Sequence, residues 1–273
     1  MSSSERRAEP IPLQRHALIL NHIRQHGAAS IQELASAIGS SISTIRRDLE
    51  RLDGRGALVR ARGGAVLPAE PHATFEPAAN LAAQLARAEK RMIGAAAAEM
   101  LEPGESVIFD SSSTVLCAAQ AILAREIALT AVTNDLGIAQ VLGQSESIRV
   151  IVPGGTVRFG SLSLTGHPGQ EFFAALHADT LLLGTHTISG SLITETSLEI
   201  AAMKQAMIKA ARRVVLLADS SKVQMPAFCT ICNIGEIGAW VTDDGADKAV
   251  LRMARDRGVA VTVVTMPGET ARR

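Results

Sequence analysis

Residues 30–52 read SIQELASAIGSSISTIRRDLERL, and their spacing decides the fold of the first part of the chain. Ile31, Leu34, Ala35 and Ile38 recur at helical intervals, Gly39 supplies a turn, and Ile45, Leu49 and Leu52 form the inner stripe of a second helix. Ser43 is expected to cap that second helix. Thr44, Arg46 and Arg47 then fall on the outer side of its first turns. A bracing helix followed by one that opens on hydroxyls and arginines suits entry into the DNA major groove. There hydroxyls anchor phosphate and arginine reads guanine. The competing reading is a solvated helical hairpin that happens to carry two arginines.

The flanks favour the first reading. Upstream, Leu18, Ile19, Ile23 and a closing Gly27 mark a third helix. Downstream, residues 56–66 (GALVRARGGAV) alternate and carry a glycine pair, which reads as a β-hairpin wing. Arg60 and Arg62 alternate on one face of that wing, placed for phosphate or the minor groove. Charge divides in the same way. Through Leu67 there are ten Arg, no Lys and six acidic residues, whereas the rest of the chain carries 17 basic and 21 acidic ones. A formal net charge of zero over 273 residues therefore hides a basic head on a mildly acidic body.

The body is long enough for a core of its own, about 180–200 residues. No apolar run approaches the roughly 20 residues that span a bilayer. MSSSERRAEPIP (residues 1–12) lacks the apolar stretch of a secretory signal and reads as a disordered tail. Three cysteines argue against a disulfide framework and for a reducing, cytoplasmic compartment. Cys229 and Cys232 form a CxxC with no second ligand pair nearby, so a buried apolar role is favoured over zinc or redox work, and no metal or cofactor is expected.

A proline-bearing linker is expected over 68–87, then an Ala-rich helix from Ala88 to Leu101. Short, unalternating apolar runs follow at 106–110, 129–133, 148–152, 180–184, 214–219 and 259–264, with helical stretches at 114–125, 135–143, 197–212 and 246–257. Strands buried on both faces of a parallel sheet look like this, so the body is expected to be an α/β layered domain. Ligands in such sheets bind beyond the carboxyl ends of the strands. Four expected strand ends carry suitable turns: Asp110-Ser111-Ser112-Ser113-Thr114, Thr133-Asn134-Asp135, Pro153-Gly154-Gly155-Thr156 and Asp219-Ser220-Ser221-Lys222. Each alone reads equally as an ordinary cap or turn. Together they suggest a site for a small polyhydroxylated anion such as a phosphorylated sugar.

Arg15, Ile19 and Ile23, followed by Ser41, Thr44, Ile45, Arg46, Arg47, Asp48 and Leu49, resemble the DNA-binding signature of the DeoR family of bacterial transcriptional regulators. The resemblance covers roughly residues 13–265. It takes in Glu89-Lys90, Ile93, Gly104-Glu105-Ser106, Asp110-Ser111, Thr114, Thr133-Asn134, Gly154-Gly155, Gly166, Gly184, Lys204, Asp219 to Lys222 and Thr242-Asp243. It implies a winged helix-turn-helix over 13–67, an effector-sensing domain over 88–265 similar in fold to ribose-5-phosphate isomerase, and a short tail over 266–273. It also implies ligand contacts from Asp110 to Thr114 and Gly154-Gly155, with Lys204 and Lys222 as charge partners. Two departures stand where ligand identity is decided: Ser112 in place of a glycine, and Thr185-His186 after Gly184.

The DNA-contact set expected is therefore Ser41, Ser43, Thr44, Arg46, Arg47, Arg60 and Arg62. The effector set is Asp110, Ser111, Ser112, Ser113, Thr114, Thr133, Asn134, Gly154, Gly155, Lys204, Asp219 and Lys222. The whole reads as a non-enzymatic regulator of transcription, a repressor of a carbohydrate or polyol catabolic operon. It would bind double-stranded operator DNA and be switched by a phosphorylated sugar or related metabolite. Because one head with few useful arginines binds modestly, a homo-oligomer, dimer or tetramer, is expected. The alternative is a sugar-phosphate isomerase-like enzyme carrying a DNA-binding head. It provides Asp110, Asp219, Lys204 and Lys222 but no recognisable catalytic pattern.

Overall fold

The computed structural model describes residues 10–68, 73, 74, 76 and 79–266. The chain divides into two compact units, Met1–Leu85 and Ala86–Arg273.

The first unit runs α1 (Pro12–His26), β1 (Ala28–Ser30), α2 (Ile31–Ile38), α3 (Ile42–Asp53), β2 (Val59–Ala61), β3 (Gly64–Val66) and α4 (Ala79–Ala82). Ser30 and Glu33 close a reciprocal capping box at the start of α2, which satisfies two of the amides that a helix start leaves without partners. Gly39 follows in the left-handed region (φ 74°), a conformation costly to any residue with a Cβ, so its place in the turn between α2 and α3 is physical rather than decorative. Ser41, not Ser43, caps α3: its side chain accepts the Thr44 N–H, while its hydroxyl meets Ser43 Oγ at 2.9 Å and Thr44 Oγ1 at 2.8 Å. The serine one step before the helix, in extended backbone, is the one whose side chain can turn back on the first free amides.

Ile19, Ile23, Leu34, Ile45, Leu49 and Leu52 are all fully buried, so the stripes read from the sequence meet in one core. Leu18, one step out of phase with Ile19, faces outward and is 44% exposed. The wing is a three-stranded antiparallel sheet in the order β1-β3-β2, with the two-residue connection Arg62-Gly63 at its tip and Gly64 already paired in β3. The tail expected over 1–12 falls outside the described residues as far as residue 9, and Pro12 opens α1. The linker expected over 68–87 carries α4, whose Leu81 sits with Leu85 in the head's core at 3% and 4% exposure. Their spacing of four residues places both on one face of a helical turn.

The second unit contains α5 (Arg87–Ala98), β4 (Ser106–Phe109), α6 (Ser113–Arg125), β5 (Leu129–Thr133), α7 (Leu136–Leu142), β6 (Ile148–Ile151), β7 (Thr156–Val157), β8 (Leu164–Thr165) and α8 (His167–Ala174). It continues with β9 (Ala178–Leu183), β10 (Thr187–Ser189), β11 (Leu192–Glu195), α9 (Leu198–Ala210), β12 (Ala211–Leu217), β13 (Cys229–Asn233), β14 (Ala239–Asp243), α10 (Lys248–Asp256) and β15 (Ala260–Val264). Seven strands form one sheet in the order β15-β14-β12-β9-β4-β5-β6, parallel throughout. Its central strands are buried on both faces: on β4, Val107 and Phe109 enter one apolar cluster and Ile108 the other. This is the architecture the unalternating runs predict. A second, antiparallel sheet, β10-β11-β13, and the hairpin β7-β8 were not foreseen.

Sheet order fixes where a site can lie. From β4 the chain moves outward through β5 to β6, then returns to β9 on the other side of β4 and proceeds through β12 and β14 to β15. The succession reverses between β4 and β9, which makes the carboxyl ends of these two strands the switch point beyond which sheets of this kind bind ligands.

Candidate functional site

In the first unit, α3 buries Ile45, Asp48, Leu49 and Leu52 and leaves Ser43, Arg46 and Arg47 exposed, with Thr44 half-buried. The side chains expected to meet DNA thus share the outer face of the first two turns. Asp48 was not expected inside. Its carboxylate is 2% exposed and pairs with the Arg15 guanidinium of α1, while His16 Nε2 lies 3.0 Å from its Oδ1. A buried carboxylate without such partners would be prohibitively costly, so this pair fixes α1 against α3 and removes Arg15 from the charge available to DNA. On the wing, Arg60 and Arg62 are exposed as expected, and Arg60 Nη1 reaches Glu50 Oε1 on α3 at 3.2 Å.

In the second unit, Asp110 follows β4 and Gly184 follows β9, one on each side of the switch point. Asp110 Oδ2 accepts the Gly184 N–H at 2.9 Å and pairs with the Lys204 ammonium of α9. Lys204 Nζ also donates to Gly184 O at 3.0 Å and stands 3.8 Å from Glu195 Oε2 at the end of β11. Asp110, Lys204 and Glu195 are all buried, at 1%, 2% and 5% exposure. One lysine therefore joins three strand ends in a medium where charges interact strongly. Glu195 was absent from the expected set, because it ends β11, a strand the sequence did not reveal.

The loop Ser111–Ser113 lies against Gly184, where an added Cβ would come within 2.3 Å of Ser112 Cβ. Ser112 caps α6, its hydroxyl accepting the N–H groups of Thr114 (3.2 Å) and Val115 (3.3 Å). Two of the amides at the start of α6 are thus already engaged by a side chain that a glycine would lack. Thr133 commits its hydroxyl to Phe109 O at 2.8 Å, which makes it a positioning group. Asn134 is 2% exposed and donates from Nδ2 to Leu164 O at 3.0 Å. Asp135 caps α7, and burial, together with the nearby Asp110 charge, pushes its carboxyl above the ordinary range despite the helix amides it accepts. Gly154 and Gly155 are exposed beyond β6, and the chain then turns back so that Gly169 of α8 lies against Met203, the neighbour of Lys204. Asp219 is fully buried beyond β12, with Ser220–Lys222 forming the short turn after it; Lys222 is half-buried.

Cys229 and Cys232 lie three residues apart on β13, which places them on opposite faces. Burial raises both thiols, Cys232 to about 12. No metal-holding group of His, Cys, Asp or Glu occurs among the described residues, and no helix there is long and apolar enough to cross a membrane.

Family models match both units: a DeoR-like helix-turn-helix domain over residues 15–70 and a DeoR C terminal sensor domain over 85–244. A putative aga operon transcriptional repressor of Escherichia coli is 30% identical over 252 residues, covering 92% of this chain and 93% of that protein. The transcriptional repressor GlcR of Bacillus subtilis is 31% identical over 250 residues, covering 92% and 95%. Among solved structures, ribose 5 phosphate isomerase A from Neisseria gonorrhoeae aligns over 50% of this chain and 52% of that one, at 15% identity and a TM-score of 0.37. The chain belongs to the DeoR family. It is accordingly a DNA-binding regulator of transcription, with a helix-turn-helix head and a sensor domain for an effector.

Proposed function

We propose that this regulator is a repressor of a carbohydrate or polyol catabolic operon, and that a phosphorylated sugar or related metabolite bound beyond the carboxyl ends of β4 and β9 releases it from its operator. The observation that carries this reading is the buried assembly of Asp110, Gly184 and Lys204 at the switch point of a parallel sheet. The names of the relatives support it, since both are called repressors and one is tied to an operon. Release follows from linkage: an effector that prefers one arrangement of the chain while DNA prefers another lowers DNA affinity in proportion to that difference. The operator is read by Ser41, Ser43, Thr44, Arg46 and Arg47, with Arg60 and Arg62 on the backbone. A homo-oligomer presents paired heads to half-sites spaced by one helical turn or a multiple.

The body senses rather than catalyses. Asp110 and Lys204, the residue types an isomerase would use, are bound to each other. A thermal-shift screen against phosphorylated sugars, polyols and sugar acids tests the proposal. An effector at 100 times its Kd stabilises the fold by about 2.7 kcal/mol, which moves the midpoint by several degrees. The hit should weaken operator binding and should not be turned over. Turnover of ribose 5-phosphate would transfer the assignment to the enzyme.

A further inference from the structure

The exposed residues of α3 are Ile42, Ser43, Arg46, Arg47, Glu50, Arg51 and Asp53, and all but the first are polar. Ile42 opens the helix and is 44% exposed. It belongs neither to the core of the head nor to the apolar side chains packed against that core. Helix formation does not ask for it either. The first helical position favours proline and the first turn favours carboxylates, whereas a β-branched side chain loses rotamer freedom there. A single exposed apolar side chain is ordinary on a protein surface. This one stands at the N-terminal end of a recognition helix, where a helix-turn-helix presents its side chains to base edges.

The turn beneath it is held firmly. Ser41 Oγ accepts the Thr44 N–H at 3.1 Å and meets the hydroxyls of Ser43 and Thr44 at 2.9 and 2.8 Å. These three bonds fix the first turn of α3, and isoleucine adds little rotamer freedom of its own, so contact costs Ile42 little further ordering. Arg46 follows four residues later, one turn along the same side of the helix. Ile42 can neither donate nor accept a hydrogen bond. Its complement in the major groove is the one apolar group that an unmodified base pair presents there, the 5-methyl of thymine.

We infer that Ile42 selects thymine by packing against its 5-methyl group. Residues four apart on a helix are separated by about 6 Å along its axis, and base pairs by about 3.4 Å. The thymine therefore lies within about two base pairs of the guanine that Arg46 reads. This deepens the DNA-contact reading proposed above and rests on it, adding an apolar determinant to a set made of hydroxyls and arginines.

The test uses the full chain. Random-sequence duplexes are selected by binding to the wild type, and the consensus is resynthesised with uracil in place of each thymine in turn. Uracil keeps every hydrogen-bonding group of thymine and lacks only the methyl. Affinity read by fluorescence anisotropy should fall about three- to fivefold at one thymine of each half-site and less than twofold at the others. Ile42→Ala should bind the thymine and uracil duplexes alike at that position, with an unchanged circular dichroism spectrum. Ile42→Val, which keeps a branched apolar side chain, should retain most of the discrimination. Selected afresh, Ile42→Ala should lose the thymine and keep the guanine, and Arg46→Ala should do the reverse. A wild-type consensus without thymine within three base pairs of that guanine, an affinity that no uracil lowers, or discrimination that survives in Ile42→Ala would each overturn the inference and leave the contact set standing. A selection that yields no shared sequence would overturn the contact set and the inference with it.

Discussion

Asp48 is decisive for the head in a way its neighbours in sequence do not announce. It stands between Arg47 and Leu49 in a stretch of charges, where a carboxylate reads as part of the solvent face, but the helical phase of Ile45 and Leu49 turns it inward onto Arg15 and His16. Removing one partner of a buried pair leaves the other charge stranded, so Asp48→Ala should cost the head about 3–5 kcal/mol, measured by denaturant unfolding, and abolish DNA binding. The exposed arginines behave differently. Arg46→Ala should cost about 1–3 kcal/mol and relax sequence preference at one base pair, while Arg62→Ala should weaken all sequences alike and lower the salt slope by about one. Asp135 supplies a pH signature. Its raised carboxyl means that the charged form is disfavoured in the fold, so the penalty is present at neutral pH and is relieved as the pH falls through the raised value. Asp135→Asn should therefore stabilise the protein at pH 7, with the gain vanishing once the pH drops below the ordinary carboxylate range near 3.8. A thermal melt series against pH reads this directly.

At the scale of elements, legibility followed burial. Strands such as β4, β9 and β12 are covered on both faces, so each carries an unbroken apolar run, Val107–Phe109, Leu181–Leu183 and Val214–Leu217, that announces it. The strands of the antiparallel β10-β11-β13 sheet and the hairpin β7-β8 are of mixed polarity, and β14, though buried along its whole length, offers only the apolar run Ala239-Trp240-Val241 before the polar Thr242 and Asp243. None of these offers a period long enough to register. The same contrast governs the sites. Loops with Ser, Thr and Gly at strand ends were readable, whereas Glu195, whose relevance comes from Lys204 reaching it from another helix, was not. The third helix and the wing were readable, but the contact between wing and recognition helix was not. Glu50 holds Arg60 at 3.2 Å with both side chains substantially exposed, an interaction worth at most about 1 kcal/mol. Glu50→Gln should release Arg60 toward phosphate and remove a like charge, raising affinity for any duplex by up to roughly fivefold at low salt. A decrease in anisotropy-measured affinity would show that the pair positions Arg60 usefully.

The molecule as a whole joins a basic helix-turn-helix head to an α/β sensor domain. Of the ten arginines before Leu67, Arg15 is structural and only four, Arg46, Arg47, Arg60 and Arg62, belong to the proposed DNA-contact set, so one head alone should bind modestly. Sedimentation at micromolar concentration should accordingly find a dimer or larger, and a monomer would remove the basis for paired half-sites. The most direct test of the central claim is to incubate the purified full chain with sheared genomic DNA from its source organism and sequence the fragments it retains, alongside Arg46→Ala. The wild-type chain should enrich a small number of sites built from paired half-sites one helical turn or a multiple apart, and Arg46→Ala should lose them. Retention of fragments without shared sequence, equal for the two proteins, would contradict it.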